Sequence, residues 1–433
     1  MRVKFSLLSL LFVLVVSAQI TFAKESAESL AVKATSENNS EAIPAIEELR
    51  SLGPSGLQAL MRQYDDEINR HIANPTIAAG PEWQRITTAL DAVSQQRNSY
   101  LSGLYWYTDL EQAKRVSAQS GKPILSLRLL GKLTDELSCA NSRFFRTVLY
   151  SNALVSAMLR DQFVLHWQTV RAVPLITIDF GDGRKLERTI TGNSIHYILD
   201  SHGKVIEALP GVYGPQAFSR VLAEAQALFT DLNGKDDNIK RRLLMAYYSS
   251  RSNKISLAWL SDITKIGGRR PEGVAVQVNE KGEALSIMPL AVSKAATEAS
   301  TLRLMSSASE SLGRVTDEAA WQKIAAIHKG DAVLDERSIS LIKKQNPDLP
   351  AQVLSSLIEK FQQSVALDTV RNEYLMHSRL LAWMTREQWR NDVNSFNEKV
   401  YAELFLTPRS DPWLGLLMAD AYTAIDNGGV VKE

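Results

Sequence analysis

The ten residues GKPILSLRLL, at positions 121–130, decide the architecture of the middle of the chain. Gly121 can adopt the left-handed conformation that ends a helix, and Pro123 cannot continue one. The apolar run Ile124–Leu130 that follows has the length and bounds of a buried strand. A helix predicted over 110–119, followed directly by such a strand, is typical of an α/β unit.

The segment from about 101 to 230 continues this alternation of strand and helix patterns. Further strands are predicted at 163–167, 176–180, 185–190, 195–199 and 205–209, and helices near Cys139 and over 215–229. Gly181-Asp182-Gly183 predicts a hairpin turn. We therefore expect an α/β domain over 101–230, with a central mixed sheet and flanking helices.

Helical patterns are predicted on both sides of this domain. Residues 24–41 are rich in Ser, Glu, Ala and Asn and predict a flexible leader, whereas apolar residues recur at helical spacing over 42–100. Beyond Thr230 the pattern predicts a mainly helical C-terminal domain over 240–433, with one hairpin around 274–287.

The N-terminal residues have the layout of a secretory signal peptide. Arg2 and Lys4 precede an apolar run over 5–18, and small residues follow as far as Ala23. We expect cleavage near Ala23, with Ala18 as the other site, and an exported, periplasmic protein. The apolar run is shorter than the roughly 20 residues that span a bilayer, so no membrane span is expected after removal of the signal.

Composition and motifs exclude several functional classes. The chain of 433 residues has 49 Lys plus Arg against 48 Asp plus Glu, so no field of one sign indicates a nucleic-acid partner. The sequence contains no serine elbow of the G-x-S-x-G type, no phosphate-binding glycine loop and no HExxH. These absences argue against the common hydrolases and nucleotide-binding proteins, and we expect no cofactor.

Cys139 is the single cysteine. No disulfide can therefore form within one chain, although the predicted compartment is oxidising. The residue is buried and inert, reactive, or paired with another molecule.

The segment 100–230 resembles the thioredoxin-like superfamily, particularly its exported members with an additional N-terminal helix. The matching residues are Trp106, 110–113, Gly121-Lys122-Pro123-Ile124-Leu125, Cys139-Ala140-Asn141-Ser142, Val155, Leu159, Phe163-Val164, 197–200, 203–205 and Pro210-Gly211. The resemblance implies a thioredoxin-like fold for this segment, and it does not extend to the helical segments on either side.

In that superfamily a C-x-x-C site begins the helix after the first central strand, where helix-end amides favour the thiolate. The resemblance places Cys139 at the first position and Ser142 at the second, so the resolving cysteine is missing. Asn141 and Arg143 are implied as neighbours that stabilise a thiolate. The superfamily also has a cis-proline before the strand predicted at 195–199, where this chain has Asn193-Ser194. Substrate docking must therefore differ from that of the superfamily, or be absent.

Two further residues are candidates for supporting roles. His196 shares a strand face with Ser194 by alternation, and it is a thiolate partner or, as we favour, a hydrogen-bonded strand histidine. Arg128 lies within an apolar strand and needs a partner, for which Asp135, Glu136 or the thiolate would serve. We favour a structural ion pair over a catalytic role for Arg128.

Two histidines outside the implied site are interpreted as ordinary structural residues. His166, at the end of a predicted strand, is expected to be structural. Glu373 and His377 lie one helical turn apart, and an ordinary surface pair is favoured over two metal ligands.

Two functions remain open at this point. In the first, Cys139 is the nucleophile of a monothiol exchange with glutathione or client-protein thiols, or of thiol-based redox sensing, and Ser142, Asn193 and Ser194 line its site. In the second, the thioredoxin-like domain is a redox-inactive scaffold, and the helical domain binds a protein partner. Whether the protein is an enzyme depends on which of the two applies.

Overall fold

The structure is a computed structural model that describes residues 25–268, 312–313, 315–386, 390–414, 417, 427 and 430–431. The predicted signal peptide and the hairpin predicted around 274–287 lie outside the described residues.

Five α-helices lie within residues 25–100, before the α/β unit. They are α1 (Ala27–Lys33), α2 (Asn39–Ser51), α3 (Pro54–Gln63), α4 (Asp65–Ala73) and α5 (Pro81–Ser94). Helix α1 lies within the predicted flexible leader, and that prediction was wrong. Leu30 and Ala31 are buried because α1 packs against α2 and α3, so even a mostly polar segment provides one apolar face.

A four-stranded mixed sheet lies at the centre of the α/β unit. Its strands are β1 (Ile124–Leu130), β2 (Val164–Arg171), β5 (Ser194–Leu199) and β6 (Val205–Pro210), in the order β2-β1-β5-β6. Strand β1 pairs in parallel with β2 and antiparallel with β5, which pairs antiparallel with β6. All residues of β1, β5 and β6 are buried, as expected for a sheet covered on both faces. The predicted mixed α/β class is confirmed.

Strands β3 (Leu175–Asp179) and β4 (Lys185–Thr189) form a separate antiparallel hairpin. Gly181 and Gly183, at its turn, both have positive φ angles. This conformation is accessible to glycine at little cost and explains the turn that the sequence predicts.

Helices cover the sheet and continue to the C-terminal side. They are α6 (Leu110–Ser120), α7 (Ala140–Phe144), α8 (Ala153–Gln162), α9 (Pro215–Leu232), α10 (Asp237–Lys265), α11 (Glu318–Ile327), α12 (Glu336–Gln345), α13 (Ala351–Arg371), α14 (Ser378–Met384) and α15 (Val393–Lys399). Wider π-helical turns extend α7, α13 and α15, over Phe145–Leu149, Asn372–His377 and Val400–Leu404.

One hydrophobic core connects these parts. Buried side chains run without interruption from Leu30 in α1, through the sheet, to Leu404 after α15. The C-terminal helices therefore pack directly on the α/β unit. Among the described residues, no helix combines the length and the apolar character that crossing a membrane requires.

Candidate functional site

Cys139 lies at the beginning of α7, the helix that follows β1. It is the N-cap residue, and its Sγ accepts a hydrogen bond from the backbone N–H of Ser142 at 3.4 Å. This is the position that the resemblance implies for the first residue of the motif. The helix contains five residues and continues directly into the π-helical turn of Phe145–Leu149.

The sulfur is nevertheless inaccessible. Cys139 has 0% relative exposure. Burial raises the pKa of its thiol, and the helix amides and Arg143, which act in the opposite direction, do not outweigh it. The folded protein therefore favours a neutral thiol, which is a poor nucleophile.

The loop before β5 packs directly against the start of α7. The Ala140 N–H donates to the carbonyl of Thr191 at 3.4 Å, and Asn141 Nδ2 donates to Ser194 Oγ at 2.8 Å. A Cβ on Gly192 would lie 2.8 Å from Asn141 Oδ1, so only glycine fits this approach without a shift. The structure thus brings Asn141 and Ser194 together at the helix start that Cys139 caps.

Small polar groups without partners surround the same helix start. Ser138 Oγ, Asn141 Oδ1, Ser142 Oγ and Thr191 Oγ1 are buried, and none has a hydrogen-bond partner among the described residues. Ser142 therefore lies next to Cys139, but its hydroxyl is not engaged with the sulfur. Arg143 Nη2 donates to Thr189 Oγ1 at 3.0 Å, and its charge still acts on the nearby thiol of Cys139.

A segment from the other end of the chain covers this region. We call residues 393–411 the C-terminal cover. Tyr401 donates its hydroxyl to the carbonyl of Asn193 at 3.1 Å, and Asn193 Nδ2 donates to Thr407 Oγ1 at 3.1 Å. Burial, together with the neighbouring Cys139, raises the pKa of Tyr401. Asn193 therefore holds the cover next to the cysteine.

Arg171, near the end of β2, fixes the far end of the cover. Its guanidinium donates to the carbonyls of Thr407, Pro408 and Asp411 at 2.9, 3.4 and 2.9 Å. A single side chain thus holds three backbone carbonyls of the cover.

Arg128 also binds the cover, and the partners predicted for it were wrong. Its Nη2 donates to Asn394 Oδ1 at 3.1 Å. Glu136 instead pairs with Arg97, and the carbonyl of Asp135 accepts from Arg146 at 2.5 Å. Arg128 is 2% exposed, and burial lowers its pKa. Its partner is an amide 266 residues further along the chain, which no local pattern indicates.

The two strand histidines have structural hydrogen bonds. His196 Nε2 pairs with the hydroxyl of Tyr150 at 2.7 Å, and His166 Nδ1 pairs with Ser126 Oγ at 2.8 Å. Burial lowers the pKa of each histidine to about 3, so both rings are neutral. The interpretation favoured for His196, a hydrogen-bonded strand histidine, agrees with these contacts.

A second polar cluster lies where the sheet meets the C-terminal helices. Glu373 and His377 were predicted to be a surface pair, and this was wrong because the side chain of His377 is fully buried and that of Glu373 is only 19% exposed. His377 Nδ1 lies 3.0 Å from Glu373 Oε2, and its Nε2 lies 3.0 Å from Glu207 Oε1. Glu207 also accepts from Tyr247 at 2.5 Å, and Arg251 Nη2 donates to Glu373 at 2.8 Å.

This cluster is charged although it is buried. Burial alone lowers the pKa of His377, but the two carboxylates raise it more, to about 9. Burial raises the pKa of Glu373, yet His377 and Arg251 hold it at about 2. The sequence did not indicate Glu207 and Arg251 as members of the cluster, because they belong to β6 and α10, which are far from His377 along the chain. Among the described residues, no three His, Cys, Asp or Glu side chains are grouped as a metal site requires.

No protein-family model, curated protein or solved structure matches this chain. Its function is therefore inferred from the geometry described above.

Proposed function

We propose that this exported protein is a redox-inactive, thioredoxin-like scaffold whose helical parts bind a partner protein. The observation that carries the proposal is the complete burial of Cys139 beneath the C-terminal cover. Thiol exchange requires a thiolate and a path by which a disulfide sulfur reaches it. In the folded chain the thiol is neutral and covered.

The thioredoxin-like part of the proposal is supported by the arrangement around the sheet. Cys139 begins the helix that follows the first strand, and the loop over 191–194 packs against it. Export and a periplasmic location are supported by the signal-peptide layout of residues 1–23.

Monothiol exchange with glutathione or client thiols is the second candidate. The N–H of Ser142, which donates to Sγ, favours it, because the same contact would stabilise a thiolate. This function requires displacement of the C-terminal cover.

The rate at which iodoacetamide alkylates Cys139 separates the two candidates. We expect alkylation of the folded protein to be about 1000-fold slower than alkylation in urea, because a reaction that depends on opening is slowed tenfold for about each 1.4 kcal/mol of opening free energy. The measurement is mass spectrometry of quenched samples between pH 6 and 10.

The Cys139→Ser variant, treated in parallel, reports alkylation at other residues. Rapid alkylation of the folded protein that reaches its plateau below pH 8 would overturn the scaffold proposal and support the monothiol enzyme.

A further inference from the structure

A cavity of about 200 Å³ lies between α9, α10 and the C-terminal part of α13. Charged and polar side chains line one part of it, and Val221, Ile255 and smaller aliphatic side chains line the rest. An engineered apolar cavity of about 150 Å³ holds benzene. This cavity is therefore large enough for a body of that size with a small polar group attached.

Each acidic side chain of the lining already has a basic partner. Glu224 and Glu373 pair with Arg251, and Asp331 pairs with Arg220 and His328. Hydrogen bonds that His328 donates to Asp262 and Asp331 raise its pKa to about 9, so it is charged at neutral pH. The lining thus carries four positive groups, Arg220, Arg251, Lys254 and His328, against three negative ones, Glu224, Asp331 and Glu373.

The hydrogen-bonding groups that remain unused are donors. Lys254 is exposed and has no ion pair within the described part of the chain. Arg251 Nε is buried without a partner there. The hydroxyl of Tyr213, a residue that is 2% exposed, has no hydrogen bond of normal geometry among the described residues, although Glu373 lies near it. Buried donors are normally satisfied, so the missing partner is an acceptor.

We propose that this cavity binds a small monocarboxylate with an apolar body about the size of a benzene ring. The carboxylate accepts from Lys254, near the buried donors of Arg251 and Tyr213, and the apolar body packs against Val221, Ile255 and neighbouring aliphatic side chains. The surplus of donors selects an anion, and the apolar lining selects a carboxylic acid over inorganic phosphate. No residue of the Cys139 site lines the cavity, so this proposal does not depend on the proposed function.

Calorimetric titration of the full chain with three probes tests the proposal. We expect benzoate to bind with a stoichiometry of one and at least about tenfold more tightly than benzamide, which has nearly the same shape and no charge. We expect inorganic phosphate to bind more weakly than benzoate.

Three variants locate the binding. Lys254→Gln should weaken benzoate binding about fivefold or more and leave benzamide binding unchanged. Lys235→Gln, an exposed lysine between α9 and α10 that lies outside the lining, should change neither. Ala258→Phe, at an exposed position of the lining, should abolish benzoate binding without altering the circular dichroism spectrum.

Absence of saturable benzoate binding would overturn the proposal. The proposal is also overturned if benzoate and benzamide bind equally well or if phosphate binds more tightly than benzoate. It is likewise overturned if Lys254→Gln, like Lys235→Gln, leaves benzoate binding unchanged.

Discussion

The imidazole of His377 lies between two buried carboxylates, and its replacement by glutamine removes the cation that they share. His377 and Glu207 have 0% side-chain exposure, and Glu373 has 19%. Removing one partner of a buried ion pair costs about 3–5 kcal/mol, because the remaining charge stays away from water. Glutamine keeps an amide donor, so we expect His377→Gln to lower the free energy of unfolding by about 3 kcal/mol at pH 6.

The pH dependence gives a sharper test than the loss of stability itself. The pKa of His377 is about 9 in the fold against an ordinary value of 6.5. A group whose folded pKa is raised contributes stability that is complete below 6.5 and is lost as the pH rises through 9. With about 1.4 kcal/mol for each pKa unit, this contribution is about 3 kcal/mol. The wild type should lose it between these pH values, whereas His377→Gln has no such contribution to lose.

Urea unfolding of both proteins at pH 6 and pH 9.5 measures the effect. The difference between wild type and variant should fall from about 3 kcal/mol at pH 6 to below about 1 kcal/mol at pH 9.5. Since His328 titrates in both proteins, its contribution cancels in this difference. His202→Gln, at a side chain that is 79% exposed, is the control and should match the wild type. An equal difference at the two pH values would refute a charged imidazole in the cluster.

Two other predictions concern the covering of the cysteine. Arg171→Met leaves three carbonyls of the C-terminal cover without their donor, so alkylation of Cys139 in the folded protein should accelerate about tenfold or more. The alkylation rate is measured by mass spectrometry. The control variant Arg184→Met, in the exposed hairpin, should leave this rate unchanged. Gly192→Ala places a Cβ 2.8 Å from the side-chain oxygen of Asn141. It should lower the free energy of unfolding, measured in urea, by about 1–3 kcal/mol. In the control variant Gly80→Ala the added Cβ has no atom within 4 Å, so this steric cost should be absent.

The sheet could be predicted because its signals are local. Strand β1 has the predicted bounds, since helix-ending residues precede an uninterrupted apolar run. The hairpin of β3 and β4 likewise follows from the glycines at its turn. Helix α1 was missed because its buried face consists of only a few small or aliphatic side chains in a mostly polar segment. These side chains are buried only through the contacts of α1 with α2 and α3.

The candidate site was predictable only in its position along the chain. The order of strand and helix predicts Cys139 at a helix start, whereas only the resemblance to the thioredoxin-like superfamily implied that the loop with Ser194 lies near it. The C-terminal cover that lies next to Cys139, residues 393–411, is separated from it by more than 250 positions along the chain. The spacing of Glu373 and His377 was visible in the sequence, but the third member, Glu207, lies 170 residues from His377. The burial of a polar group depends on tertiary contacts, and these cannot be predicted from the spacing of residues in the sequence.

The cover also determines which partners are able to reach the sulfur. Six hydrogen bonds from Arg128, Arg171, Tyr401 and Asn193 hold it in place. If each contributes about 1 kcal/mol net, release of the cover costs about 6 kcal/mol and the open fraction is below about 0.1%. A tripeptide such as glutathione buries too little surface to offset that cost, since binding energy is first needed to restrict the ligand itself. A folded partner protein that docks on the C-terminal helices buries enough surface to offset the cost of releasing the cover. Any chemistry at Cys139 would therefore follow protein binding, which agrees with the scaffold function proposed above.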